Sequence, residues 1–140
     1  MKTLKTTLLS SFVLLLLFAS CSVKDESANL FSVQNFTTTM SENPSSDQVI
    51  GNIQAAVYAA YELRFSISSQ SPENAISINQ QSGQLIVNDP GLFDFETHPI
   101  LTATIKVDKV TSAVNGNGFD EEVLDTKTIT ATVNLTDVDE

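Results

Sequence analysis

Residues 100–107 read ILTATIKV, and from Leu101 onward apolar and polar side chains alternate. A second stretch, residues 127–135, reads KTITATVNL and alternates in the same way. Successive side chains of an extended chain point to opposite faces, so alternation of this length is typical of a β-strand with one buried face. The positions predicted to face the core are Leu101, Ala103, Ile105, Val107, Ile129, Ala131, Val133 and Leu135.

Five shorter extended segments precede these two, and turn residues such as Asn43-Pro44 and Ser82-Gly83 separate them. Residues 55–61, AAVYAAY, are ambiguous and could form a helical turn, whereas Asp108 to Thr126 is predicted as an extended hairpin tip. Seven short strands in about a hundred residues, without a convincing helical window, predict an all-β, seven-stranded antiparallel sandwich. The five shorter segments lie at 31–36, 49–53, 63–67, 75–78 and 84–87.

The N-terminus combines two lysines, Lys2 and Lys5, with an apolar run that ends in small residues before Cys21. This run is too short to span a bilayer and is typical of a cleaved secretory signal. Residues 18–21, FASC, resemble the bacterial lipobox, with Phe18 in place of the usual aliphatic residue. We therefore expect a lipoprotein signal peptide at residues 1–20 and lipidation of Cys21, which would anchor the protein to a membrane without spanning it. An ordinary signal peptide with a chance cysteine is the alternative.

The residues after Cys21 read SVKDES at 22–27. They resemble the lysine-plus-two-acids signal that directs lipoproteins to the cell surface in one branch of Gram-negative bacteria, and a solvated linker is the alternative. Both interpretations place the protein in an extracytoplasmic space, at the outer membrane or the cell surface. Which face of the outer membrane it occupies stays open.

Composition narrows the classes of partner. The chain has 17 acidic and seven basic residues and a formal charge of −10. Because binding to a phosphate backbone needs clustered Lys and Arg, no nucleic-acid partner is expected, and cations are favoured instead. Lipidation of Cys21, the only cysteine, leaves no thiol for a disulfide, a zinc site or catalysis.

An acidic pair lies in residues 91–97, GLFDFET. In an extended chain Phe93 and Phe95 would face one way and Asp94 and Glu96 the other. Hard cations such as Ca²⁺ take six to eight oxygen ligands and accept irregular geometry, so carboxylates from several loops can converge on them. In a seven-stranded sandwich this pair could share one pole with Glu42, Asp139 and Glu140, while a solvated strand face is the alternative.

Six short motifs of the sequence, in order, resemble those of the cadherin repeat. They are Ser41-Glu42-Asn43, Phe65-Ser66-Ile67, the hairpin from Ile78 to Leu85 with Gly83, Phe93-Asp94-Phe95-Glu96, Val107-Asp108 and Asp137-Val138-Asp139-Glu140. The resemblance implies a Greek-key, cadherin/immunoglobulin-like sandwich at residues 33–140, after a lipidated tether at 21–32. It also implies a calcium site at the lower pole, with Glu42, Asp94, Glu96, Asp139 and Glu140 as metal ligands.

The sequence departs from the family pattern at both poles. Asp139 and Glu140 stand where the family has Asn and Asp, and the family's Asp-x-Asp-x-Gly stretch is replaced by residues 55–65, AAVYAAYELRF. At the opposite, upper pole, Asp108 is thus the only remaining acid of the family pattern. It is better explained as a strand-end or turn acid. Family sites form between successive repeats, and this sequence ends at Glu140, so weak calcium affinity is expected.

The first functional hypothesis is a surface-anchored, calcium-binding cadherin-like module for adhesion or for contact with a protein or glycan. The alternative is a non-catalytic ligand- or polysaccharide-binding lipoprotein accessory to a larger uptake complex, with Tyr58 or Tyr61 contacting the sugar. No enzymatic activity is expected, because His98 has no evident nucleophilic partner. The pair Asp94 and Glu96 also lacks the substrate cleft that a glycosidase needs.

Overall fold

The structure is a computed structural model that describes residues 30–115 and 118–139. In this part of the chain every regular element is a β-strand apart from one 3-10 turn at Pro90–Leu92. The strands are β1 (Phe31–Val33), β2 (Phe36–Ser41), β3 (Val49–Asn52), β4 (Ala55–Val57), β5 (Glu62–Ser71), β6 (Ile76–Ile78), β7 (Gln84–Val87), β8 (Ile100–Asn115) and β9 (Gly118–Thr136).

The strands form the two layers of a sandwich, and the predicted all-β fold is confirmed. One layer has the order β2-β9-β8-β5, and the other contains β3-β7-β6 and the pair β1-β4. Only Ile53 and Gln54 separate β3 from β4, and hydrogen bonding continues across them. The Ile53 N–H donates to the carbonyl of Gly83 at 3.0 Å, and the Gln34 N–H donates to the carbonyl of Gln54 at 3.1 Å.

The strand count differs from the prediction, since the described residues form nine strands instead of seven. The first extended segment divides into β1 and β2 at residues 34–35, and each half pairs in a different layer. Residues 55–57 form β4 instead of a helical turn. One pair, β2 with β9, is parallel, while every other strand pair of the described residues is antiparallel.

Both long alternating segments bury the predicted face. Leu101, Ile105 and Val107 are fully buried, and the four predicted core positions of β9 are at most 8% exposed. Phe31, Leu85, Val87 and Phe93 join them in one hydrophobic cluster. The alternation predicted from the sequence is therefore the alternation of the core.

The β6–β7 turn brings its backbone against a core side chain. Gly83 has a φ of +68°, in the left-handed region that favours glycine, and a Cβ at this position would lie 2.9 Å from the Phe65 ring. The side-chain oxygen of Asn79 accepts hydrogen bonds from the N–H groups of Gln81 and Ser82 and holds the preceding turn. Glycine is thus required here by conformation and by space.

The two ends of the sandwich differ in shape. β1 and β5 begin at one end, which we call the N-terminal pole, and β2 and β9 finish at the other, the C-terminal pole. At the N-terminal pole the last residue of β8 that pairs with β5 is Val110, opposite Glu62. The β8–β9 ladder continues beyond it to Asn115 opposite Gly118. The segment predicted as an extended hairpin tip is thus a two-stranded ladder that projects from this pole.

Several predictions concern residues outside the described part of the chain. The signal peptide at 1–20, the lipidated Cys21 and Glu140 all lie there. Within the described residues there is no helix of the length and apolarity needed to cross a membrane.

Candidate metal centre

The candidate site lies at the C-terminal pole, where three chain segments meet. Glu42 directly follows β2, Asp94 and Glu96 lie between the 3-10 turn and β8, and Val138 follows β9. Main-chain hydrogen bonds hold the segments together. The Glu42 N–H donates to the carbonyl of Thr136 at 3.2 Å, and the Asn43 N–H donates to the carbonyl of Phe93 at 3.0 Å.

Three of the five predicted ligands are brought together. One carboxylate oxygen from each of Glu42, Asp94 and Glu96 lies within 4.8 Å of the other two. Asp139 is exposed and is not part of this group. The ion pairs of the described residues join Arg64 to Glu62 and Glu121 and Lys106 to Asp108, so no lysine or arginine neutralises the three carboxylates.

Glu42 has a structural role that the sequence-based prediction missed. Glu42 is only 5% exposed. Its Oε2 accepts the N–H of Phe95 at 2.9 Å, and its Oε1 accepts the N–H of Val138 at 2.7 Å. The carboxylate therefore ties the loop that carries Asp94 to the segment after β9. Each oxygen keeps a further lone pair that a cation could use.

The loop around Asp94 is a turn, and the strand-like alternation of residues 91–97 does not hold. Asp94 accepts the N–H of Thr97 on Oδ1 and the Thr97 hydroxyl on Oδ2, both at 2.9 Å. These hydrogen bonds lower the pKa of Asp94. Phe93 is fully buried, while Phe95 is half-buried against the core. Local side-chain to main-chain bonding overrides the extended conformation that alternation indicates.

Glu96 is exposed and lies close to several other carboxylates. A hydrogen bond from its own N–H acts to lower its pKa, but partial desolvation and the charges of Glu42, Asp137 and Asp94 outweigh it, so the pKa of Glu96 is raised. Asp137 was not among the predicted ligands. Asp137 lies two residues before Asp139 on the same segment, and this position in the sequence could have indicated that its charge acts on Glu96.

Asp108, which was predicted at the pole opposite the candidate metal site, has a structural role. Its carboxylate accepts a hydrogen bond from the Lys106 ammonium at 2.8 Å and another from the Thr126 hydroxyl. Burial acts to raise its pKa, but the bonds from Lys106 and Thr126 and the charge of Lys106 lower it overall. Asp108 lies inside β8, opposite Arg64 of β5 and Thr126 of β9, so the prediction of a strand-end or turn acid is wrong.

Comparison with solved structures identifies the fold. This chain superposes on the human Desmocollin-1 ectodomain with a TM-score of 0.58 over 76% of its length at 20% identity. It superposes on the EC1-2 domains of human Protocadherin-24 with a TM-score of 0.58 over 78% of its length at 15% identity. The fold is cadherin-like.

A third match is the Protocadherin GammaB4 extracellular domain, with a TM-score of 0.57 over 78% of this chain at 18% identity. This chain spans 20%, 53% and 17% of the length of the three matched chains, so each match covers only part of a longer chain. No protein-family model and no curated protein matches the sequence.

Proposed function

We propose that this chain is a surface-anchored, calcium-binding cadherin-like module that holds a partner at the cell surface. The cadherin-like fold supports an adhesion or protein-interaction role, because the similar structures are extracellular domains of this kind. The observation that carries the calcium proposal is the convergence of Glu42, Asp94 and Glu96 without a neutralising lysine or arginine among the described residues.

The chemistry of this group fits a hard cation. Three carboxylates supply roughly three to six oxygen ligands, depending on whether each binds through one oxygen or two, and water completes a shell of six to eight. Glu42 is held in place by two main-chain N–H groups, so its carboxylate is already oriented. Glu96 and Asp94 are closer to solvent. Few fixed ligands and an exposed rim favour weak binding, at about 10⁻⁴–10⁻³ M as in extracellular modules.

The described chain begins at the pole opposite the proposed metal site. Leu30 follows Cys21 by nine positions, so a fully extended tether between them reaches about 30 Å. Leu30 enters the sandwich at the N-terminal pole, next to β1. A lipid on Cys21 would therefore tether the domain through its N-terminal pole.

Calcium titration of thermal stability tests the metal site. The full chain, kept in solution by a polyoxyethylene detergent, is melted after chelation and then with increasing CaCl₂. A ligand present at ten times its dissociation constant stabilises the fold by about 1.4 kcal/mol, which raises the melting temperature of a domain of this size by about 5 °C. The double variant Asp94→Ala/Glu96→Ala should show no rise.

A matched control removes two exposed acids elsewhere, in the double variant Glu73→Ala/Glu122→Ala, and should keep the full calcium response. A melting temperature that stays constant up to about 10 mM calcium, well above the range of weak extracellular sites, would rule out the metal site. The anchor is tested separately. Cys21→Ser should abolish incorporation of labelled palmitate and release the protein from the membrane fraction, and retention of both would refute lipidation.

A further inference from the structure

A second candidate site lies at the N-terminal pole, at the opposite end of the domain from the metal centre. A cavity of about 350 Å³ opens there between β4, the start of β5 and the turn before β7. This volume falls at the lower end of the range for small-molecule sites. The cavity is lined by Val57, Tyr61, Glu62, Leu63, Arg64 and Gln81.

The cavity wall is fixed where the two layers meet at the edge of β5. The Phe65 N–H donates to the carbonyl of Gln80 at 2.8 Å, which ties β5 to the turn that carries Gln81. The Gln81 N–H is bound to the side chain of Asn79. The carboxamide of Gln81 forms no hydrogen bond within the described residues and is exposed. Its donor and acceptor are therefore available at the rim.

Arg64 is held by three acceptors, and this arrangement disfavours an anionic ligand. Its guanidinium donates to the carboxylates of Glu62 and Glu121 and to the carbonyl of Leu63. Two carboxylates surround one guanidinium, so the cluster carries a net negative charge. An anion entering the cavity would meet that charge and would find almost all the N–H donors of Arg64 already in use.

Tyr61 disfavours a cationic ligand for a different reason. The Lys109 ammonium lies 5.1 Å from the centroid of the Tyr61 ring, and Lys109 itself is only 8% exposed. The ring already has a cation against it, and a second cation at the same ring would be repelled by Lys109. The Tyr58 ring supports Tyr61 from the side, with centroids 6.4 Å apart.

What remains compatible is a neutral ligand with both apolar and hydroxyl surfaces. Tyr61, Val57 and Leu63 provide apolar walls for C–H groups, while Glu62 accepts and Gln81 accepts and donates hydrogen bonds. A sugar ring presents this combination of surfaces. We infer that the cavity at Tyr61, Glu62 and Gln81 binds a neutral sugar residue of a glycan. None of its lining residues belongs to the carboxylate group of the other pole, so this site does not depend on calcium.

Binding to printed neutral oligosaccharides tests the inference. The full chain, in a polyoxyethylene detergent that carries no sugar, is applied to hexasaccharides of glucose, galactose, mannose and xylose, with heparin and chitosan fragments as charged comparisons. We expect binding to at least one neutral hexasaccharide, unchanged by a calcium chelator. Tyr61→Ala should weaken it about tenfold and Gln81→Ala about fivefold.

Two further variants separate binding from folding. Tyr61→Phe keeps the ring against Lys109 and should retain binding, and Gln80→Ala, at the neighbouring exposed glutamine outside the cavity, should leave it unchanged. Absence of binding to every neutral hexasaccharide, or binding that survives in both Tyr61→Ala and Gln81→Ala, would overturn the inference. Binding only to the charged fragments would also overturn it. A failure here leaves the calcium response of the other pole intact, so the two proposals fail separately.

Discussion

Replacing Glu42 with alanine should destabilise the domain even when no metal is bound. The Glu42 carboxylate is buried and accepts the N–H groups of Phe95 and Val138 at 2.9 and 2.7 Å. Removing it leaves the Phe95 N–H in a half-buried position without an acceptor and opens space beneath the loop. The Val138 N–H lies on an exposed residue and can turn toward water.

The size of the effect follows from these two bonds. A hydrogen bond to a charged group contributes about 1.5–3 kcal/mol. The bond to Phe95 is lost in full, and that to Val138 is largely replaced by water. We therefore expect Glu42→Ala to lower the free energy of unfolding by about 3 kcal/mol. That is a large part of the 5–15 kcal/mol typical of a domain, and it corresponds to a fall of about 12 °C in melting temperature.

The assay is urea and thermal unfolding of the full chain in a chelator, so that metal binding makes no contribution. Glu73→Ala, which removes an exposed glutamate from the β5–β6 connection, is the matched control and should change stability by less than about 0.5 kcal/mol. Glu42→Gln keeps the volume and one acceptor oxygen and should lose about half as much as Glu42→Ala. Amide exchange should accelerate at both Phe95 and Val138 in Glu42→Ala, and at one of these two amides in Glu42→Gln. A loss below about 1 kcal/mol for Glu42→Ala, with unchanged exchange at these amides, would refute this role.

Two further outcomes follow from the structure. The pKa of Glu96 is raised in the folded state, so stability increases as the pH falls through that pKa. Glu96→Gln should therefore be more stable than the parent in chelator at pH 7, with a difference that shrinks toward zero in melts near pH 4. Gly83→Ala should cost about 2–3 kcal/mol in urea unfolding, because of its positive φ and the nearby Phe65 ring. Gly91→Ala has room for a Cβ, and a comparable loss there would contradict this explanation.

The core could be predicted from the sequence because β8 and β9 are long enough for alternation to be unambiguous. Their inward positions, such as Leu101 and Val133, are the buried ones. The division of the first segment was harder to predict. The apolar positions shift from odd numbers at Phe31 and Val33 to even numbers at Phe36 and Met40. Since side chains alternate with a period of two, that shift marks the crossing from one layer to the other.

The parallel pairing of β2 with β9 depends on contacts that no local pattern specifies. The side-chain oxygen of Asn35 accepts the N–H of Thr130 at 3.0 Å, just before β2 begins to pair with β9 at Ala131. This bond joins residues 95 positions apart. The sequence shows that Phe36 starts a new inward face, but the edge on which that face pairs is decided by tertiary structure.

The candidate site shows the same division between what a pattern indicates and what packing decides. Acidic residues at loop positions predicted that Glu42, Asp94 and Glu96 could meet, and in the structure they do. The second role of Glu42 depends on its burial, which the sequence does not indicate for an isolated acid after a strand. That role has a consequence for calcium. A cation held by Glu42 and Glu96 would offset the repulsion between Glu96 and Asp137, while Val138 stays bonded to the same Glu42 carboxylate. Under the proposed function, calcium would therefore stiffen the segment after β9 together with the loop around Asp94.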